Sequence, residues 1–209
     1  MQMKNILLTP LVAAGLVSAA PATSNTFEVL ALRPATGIHF TGFQASNNNI
    51  MLKMSQQGAT CKTATDNLAT FKLVDGNLFL YHEGSTPQQL FVDRSGMGQG
   101  KLGYTTNVKD IPARWERKGW AVDSNGDLKF SGSGFIACPV GDGTWSVWVN
   151  AGVSQPGGGQ GCLTLTARPI KINKPNSCTY TQPVCPQHDA IPRYPNAANG
   201  FYKLLGKFP

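Results

Sequence analysis

Gly98, Gly100 and Gly103 stand at the spacing G-x-G-x-x-G within "DRSGMGQGKLGY", residues 93 to 104. Such a run cradles a dinucleotide pyrophosphate when it follows a strand and opens a helix inside a βαβ unit. Here it leads into Lys101-Leu-Gly-Tyr-Thr-Thr, which is strand-like, and no helix follows. Gly96, Gly98 and Gly100 are therefore expected to form a loop between two strands. "DSNGD", Asp123 to Asp127, has the oxygen-rich look of a calcium loop. An EF-hand wants Gly sixth and Glu twelfth, whereas Gly126 is fourth and Gly134 is twelfth. A hairpin turn fits better. His39, His82 and His188 are scattered, acids are few, and no nucleophile-elbow G-x-S-x-G occurs. The expectation is a non-enzymatic protein with no cofactor and no metal site.

Five cysteines remain as candidates for covalent bracing: Cys61, Cys138, Cys162, Cys178 and Cys185. They form no C-x-x-C, so a zinc pattern is not indicated. In an exported chain they should mostly be oxidised. The count is odd, and spacing alone leaves the pairing open. Two aromatics stand apart from the apolar pattern. In "TWSVWVN", Trp145, Val147 and Val149 share one face, while Trp148 shares the other with Ser146 and Asn150. Trp115 sits in the basic link "ARWERKGW". An exposed indole can stack on a sugar ring or a partner protein. The alternative is that Trp148 packs beneath the loop 151–161.

These residues must be held by strands, because helical periodicity is almost absent. Three segments each read as strand, glycine turn, strand: "FEVLALRPATGIHF", "FKLVDGNLFL" and "WAVDSNGDLKF". Asp75-Gly76 and Asn125-Gly126 are tight-turn signals, since Asp, Asn and Gly tolerate positive φ. Each segment is followed by two more short strands, giving three four-stranded units. Alternation assigns Ile38 and Phe40, Leu78 and Leu80, and Leu128 and Phe130 to the inside. It turns His39, Phe79 and Lys129 outward. The expected fold is all-β and β-trefoil-like, with a β-sandwich as the alternative.

The chain opens with Lys4, an apolar run from Ile6 to Val17 and a small-residue site at Val17-Ser18-Ala19. That predicts a signal peptide over 1–19 and a secreted product. The run is too short for a membrane anchor. A short segment 20–26 precedes a single β domain over 27–180, and 181–209 reads as a Pro-rich tail. Net charge is +7, but only 14% of residues are charged, so the charge is thinly spread. No nucleic-acid patch is predicted. A weak attraction to acidic polymers is the modest inference.

The order "ATFKLVDGNLFLY", "PQQLFVDRSGMGQGKLGYTT", "GWAVDSNGDLKF", "IACP", "WSVWVNAGV" resembles the PhiA-type cell wall proteins of filamentous fungi, over about residues 1 to 180. The resemblance implies a secreted, non-enzymatic wall protein linked with phialide and conidium formation. Members are met as allergens. Related proteins act as elicitors and bind a plant defence protein of the osmotin type. Wall polysaccharide or such a host protein is thus the implied partner. The chain is more distantly similar to the C-terminal domain of PIR wall proteins, without their glutamine-bearing attachment repeats. The resemblance also implies Cys61, Cys138, Cys162 and Cys178 as the usual four cysteines. Cys185 lies past the point where such chains end and is the candidate free thiol. A lectin-like carbohydrate-binding module is the alternative. The unlike set His39, Phe79 and Lys129 does not support a threefold sugar site.

Overall fold

The computed structural model describes residues 26–63, 66–106 and 111–182. The expected leader 1–19, most of the segment 20–26, Cys185 and nearly all of the tail 181–209 lie outside the described residues. Among the described residues the chain is all-β. The only helical turn among these residues is a single 3-10 turn at Pro156–Gly158.

The first third holds β1 (Thr26–Leu32), β2 (Thr41–Gly42), β3 (Gln44–Ser46), β4 (Asn49–Leu52) and β5 (Ala59–Cys61). The middle holds β6 (Phe71–Val74), β7 (Asn77–Leu80), β8 (Gln88–Asp93), β9 (Lys101–Thr105) and β10 (Trp115–Glu116). The last third holds β11 (Trp120–Val122), β12 (Leu128–Phe130), β13 (Phe135–Gly141), β14 (Thr144–Val149), β15 (Leu163–Lys171) and β16 (Cys178–Tyr180). Every pairing is antiparallel, and eight strands close on themselves in the order β1, β6, β7, β8, β9, β14, β13, β15 and back to β1. Closure leaves those strands no free edge.

Three strands meet at one place. Asn49 of β4 pairs with Gly103 of β9, Lys101 of β9 with Trp148 of β14, and Trp145 of β14 with Leu52 of β4. Behind this junction lies the core. Phe43 packs edge-on against Phe71 at 6.5 Å and Phe135 at 6.0 Å, while Trp120 meets Phe130 at 4.9 Å. Ile50, Leu78, Leu90, Leu102 and Leu128 fill between them, each buried. Full burial of such a side chain is worth about 1.5–3 kcal/mol.

The turns follow the sequence where local chemistry decides. Asp75 and Gly76 both take positive φ, 48° and 75°, as a two-residue hairpin between β6 and β7 demands. At "DSNGD" the Asp123 carboxylate accepts from the amides of Asn125 at 2.9 Å and Asp127 at 3.0 Å, so its oxygen serves the turn. The first repeat departs from expectation. Residues 33–40 form successive turns and not a returning strand. Ile38 is buried as alternation required, but Phe40 has φ 59° and is 66% exposed. The strand period does not apply where the chain turns back, so the inward assignment of Phe40 is corrected.

β16 and β5 form a separate two-stranded sheet in which Cys61 faces Cys178. These two cysteines are joined, and a second bridge links Cys138 to Cys162. β16 is also held by buried Gln88. Its side chain donates to the Tyr180 carbonyl and accepts from the Tyr180 amide, both at 2.7 Å, in place of a strand ladder.

Candidate functional site

Gly98 and Gly100 fall in the loop between β8 and β9, and Gly103 lies within β9 itself. None of them touches a phosphate-binding geometry, because no helix follows. Each is a place where backbone or side chain comes too close for a Cβ. At Gly98 a Cβ would lie 2.2 Å from the Asp93 carboxyl carbon. At Gly100, with φ 93°, it would lie 1.9 Å from the Val149 carbonyl oxygen. At Gly103 it would lie 2.6 Å from the Phe91 ring and 2.8 Å from the Asn48 carbonyl oxygen. The spacing reflects packing.

Asp93 organises this loop from a buried position. It accepts from the Ser95 amide at 3.0 Å, the Ser95 hydroxyl at 2.6 Å and Arg114 Nε at 2.9 Å. Burial works against its charge, but the Ser95 bonds and the Arg114 guanidinium outweigh it and hold the carboxyl below the usual carboxylate range. The neighbouring acid, Glu116, takes a two-pronged pair from Arg94, which likewise depresses it. Carboxylates held ionised in this way are poorly suited to general acid work.

The same glycines set an aromatic stack. Gly103 of β9 pairs with Phe91 of β8, and its missing side chain lets the buried Phe91 ring lie over the strand. Trp115 of β10, paired to Asp93, then lies flat on Phe91, with ring centres 3.8 Å apart and planes within 2°. Trp115 is half-buried and borders two hollows. One, of about 810 Å³, is lined by Asn47, Asn48, Asn49, Lys101, Arg114 and Trp148 among others. The other, of about 530 Å³, is lined by Asn77, Phe79, Gln89, Arg117 and Lys118.

The structure thus brings Trp115 and Trp148 to one hollow, a relation invisible in their spacing. Trp148 is half-buried there. Its indole N–H donates to Ser146 Oγ at 2.9 Å, and Lys101 Nζ stands 5.4 Å from its ring centre. Gly157, in the loop 151–161, sits so near that a Cβ would be 2.8 Å from the Trp148 ring. The cover expected from that loop is therefore present, alongside the exposure to the hollow. Lys101 also donates to Asn49 Oδ1, and burial pushes its amine below the usual lysine range. Lys101 and Phe91, which the sequence reading did not single out, complete the site. Their only signal was that Lys101 lies within the glycine run and Phe91 shortly before it. No group of three or more His, Cys, Asp or Glu placed to hold a metal occurs among the described residues. No helix among them is long and apolar enough to cross a membrane.

These features define a disulfide-braced, all-β chain with an open aromatic site. The chain belongs to the PhiA-like secreted protein family, whose model matches residues 27–181. It is 43% identical over 182 residues to the cell wall protein phiA of Aspergillus niger, covering 87% of this chain and 99% of that one. It is 42% identical over 185 residues to the protein of the same name from Aspergillus fumigatus, covering 87% and 100%. With that of Arthroderma benhamiae it shares 41% over 189 residues, again covering 87% and 100%. No solved structure matches the chain at a significant level.

Proposed function

We propose that this secreted protein is a non-enzymatic component of the fungal wall, retained by association with wall polysaccharide through its open aromatic site. The observation that carries the reading is the likeness to proteins named for the cell wall, extending over 87% of the chain. The engagement of Asp93 by Arg114 and of Glu116 by Arg94 supports an associative role over a catalytic one. A trefoil-like arrangement is part of the same proposal. It is supported by the mutual pairing of β4, β9 and β14, which stand at equivalent places in the three units. A part in phialide and conidium development rests on the family resemblance, as do the elicitor and allergen roles and binding to an osmotin-type host protein.

The test is a binding panel of the secreted protein against isolated walls, chitin, β-1,3-glucan, mannan and an osmotin-type protein. Retention on walls that weakens as salt rises is the expected result. Capture by the host protein with no retention on walls would overturn the reading. Saturable binding to one neutral polysaccharide, insensitive to salt, would favour the lectin-like alternative.

A further inference from the structure

Trp115 is the ring that both hollows share. It is fixed from behind by Phe91, which is itself seated over Gly103, so the indole plane is positioned before any ligand arrives. Pre-positioning of this kind spares a ligand the cost of ordering the ring. On one side of Trp115 stand Lys101 and Arg114, and on the other Arg117 and Lys118. Among the described residues Asp93 is the one acid lining either hollow, and it is engaged by Arg114. That pair uses Nε, one donor of a five-donor guanidinium fork. Lys101 makes no ion pair among the described residues. Amide side chains complete both walls, with Asn49 on one side and Gln89 on the other.

An aromatic plane suits the C–H face of a sugar ring, and amides suit its hydroxyls. The cations decide which saccharide. A neutral glucan would offer these cations hydroxyl acceptors but no opposing charge, even with Arg114 already paired to Asp93 and Arg117 bonded to Gln89. A chain bearing negative groups would match them on both sides of the ring. We infer that the two hollows and the Trp115 ring between them form one extended site for an anionic polysaccharide. One sugar stacks on Trp115, and carboxylate or phosphate groups along the chain meet Lys101 and Arg114 on one side and Arg117 and Lys118 on the other. This inference rests on the proposed retention by wall polysaccharide and names the ligand chemistry of that association.

The experiment titrates the secreted protein with oligogalacturonate, phosphomannan and neutral laminarin while following tryptophan emission. The variants are Trp115→Ala and, at an exposed position, Lys118→Glu. Thermal melts confirm that both are folded. Binding of either anionic probe with an emission change is expected, and which one binds distinguishes carboxylate from phosphodiester. Trp115→Ala should weaken it roughly tenfold, and Lys118→Glu several-fold with a shallower salt dependence. Laminarin bound as tightly as the anionic probes overturns the inference, as does anionic binding that neither variant weakens. A single-stranded oligonucleotide bound with the same Trp115 dependence and greater strength overturns the saccharide assignment. Retention on isolated walls separates the two levels. Walls that hold both variants as well as wild type sink this site alone, whereas walls that hold nothing sink the wall reading itself.

Discussion

Gly98 and Asp93 are packed so closely that a Cβ on the glycine would stand 2.2 Å from the Asp93 carboxyl carbon and 2.5 Å from its main-chain oxygen. That approach lets the loop fold back on the strand end. The Gly100 amide then reaches the Asp93 carbonyl at 2.8 Å, and the Lys101 amide reaches the Gly98 carbonyl at 2.8 Å. Gly98→Ala should therefore cost about 2 kcal/mol or more of stability, read as a fall of several degrees in Tm. Gly100→Ala should cost at least as much, because positive φ adds to the clash with Val149. A melting point unchanged in both would refute the packing account of the G-x-G-x-x-G spacing.

Asp93 also sets an acid limit. Its carboxyl is depressed in the folded state, so the stability it adds is fully present above the ordinary carboxylate value, about 3.9. That stability is lost as pH falls through the lower folded value. Asp93→Asn should lower stability at neutral pH and flatten the decline below about pH 4. Urea midpoints at pH 7 and pH 3 for both proteins would show it. A parallel acid decline in the two would contradict the assignment.

At the alkaline end two phenols act in the opposite direction. Burial pushes Tyr104 and Tyr180 up to about 12. The Tyr104 hydroxyl donates to the Thr181 carbonyl, and the Tyr180 hydroxyl accepts from the Thr70 amide at 3.1 Å. A raised folded value means the contribution is intact below about 10, the unfolded phenol value, and is lost as pH rises toward the folded one. Ultraviolet titration should show Tyr104 and Tyr180 ionising late, together with unfolding. Tyr104 and Tyr180 ionising near the ordinary value with the fold intact would be the contrary result.

The two bridges should differ in weight. Cys61–Cys178 closes a loop of 117 residues and Cys138–Cys162 one of 24. Chain entropy then assigns them about 5 and about 3.5 kcal/mol. Serine pairs at 61 and 178 should lower the urea midpoint more than serine pairs at 138 and 162. The reverse order would show that local packing, and not loop closure, governs their effect.

Trp148 has a packing share as well as a place in the hollow. Gly157 and Lys101 both lie against its ring. Trp148→Ala should cost about 2 kcal/mol, less than a fully buried indole, with the loop 151–161 loosened. Proteolysis mapping at that loop would report it, and an unchanged cleavage pattern would count against the contact.

What the sequence carried and what it withheld divide by range. Asp75-Gly76 specifies its own hairpin, and Leu78 and Leu80 alternate inward beside it, because turn and pleat are local. The same rule misplaced Phe40, since positive φ at that residue swings its side chain out of the strand period. β8 is buried at all six positions, so it offered no alternation to read. The stack of Gly103, Phe91 and Trp115 joins three strands, and only the pairing of β10 with β8 brings Trp115 over Phe91. Nothing near Trp115 in the chain announces that partner. The candidate site was thus half legible: its tryptophans stood out by type, while the ring beneath and the cations around them needed the fold.

One feature bears on life outside the cell, where proteases are unavoidable. The bridge between Cys61 and Cys178 encloses most of the sheet, and the first strand is zipped to β15 over six paired positions. A single cut anywhere from 62 to 177 therefore leaves no fragment free to depart. The nicked molecule stays one covalent body, and where the cut precedes β15 its severed halves also remain stitched along β1 and β15. Such a protein can be worn at its loops and still keep its place.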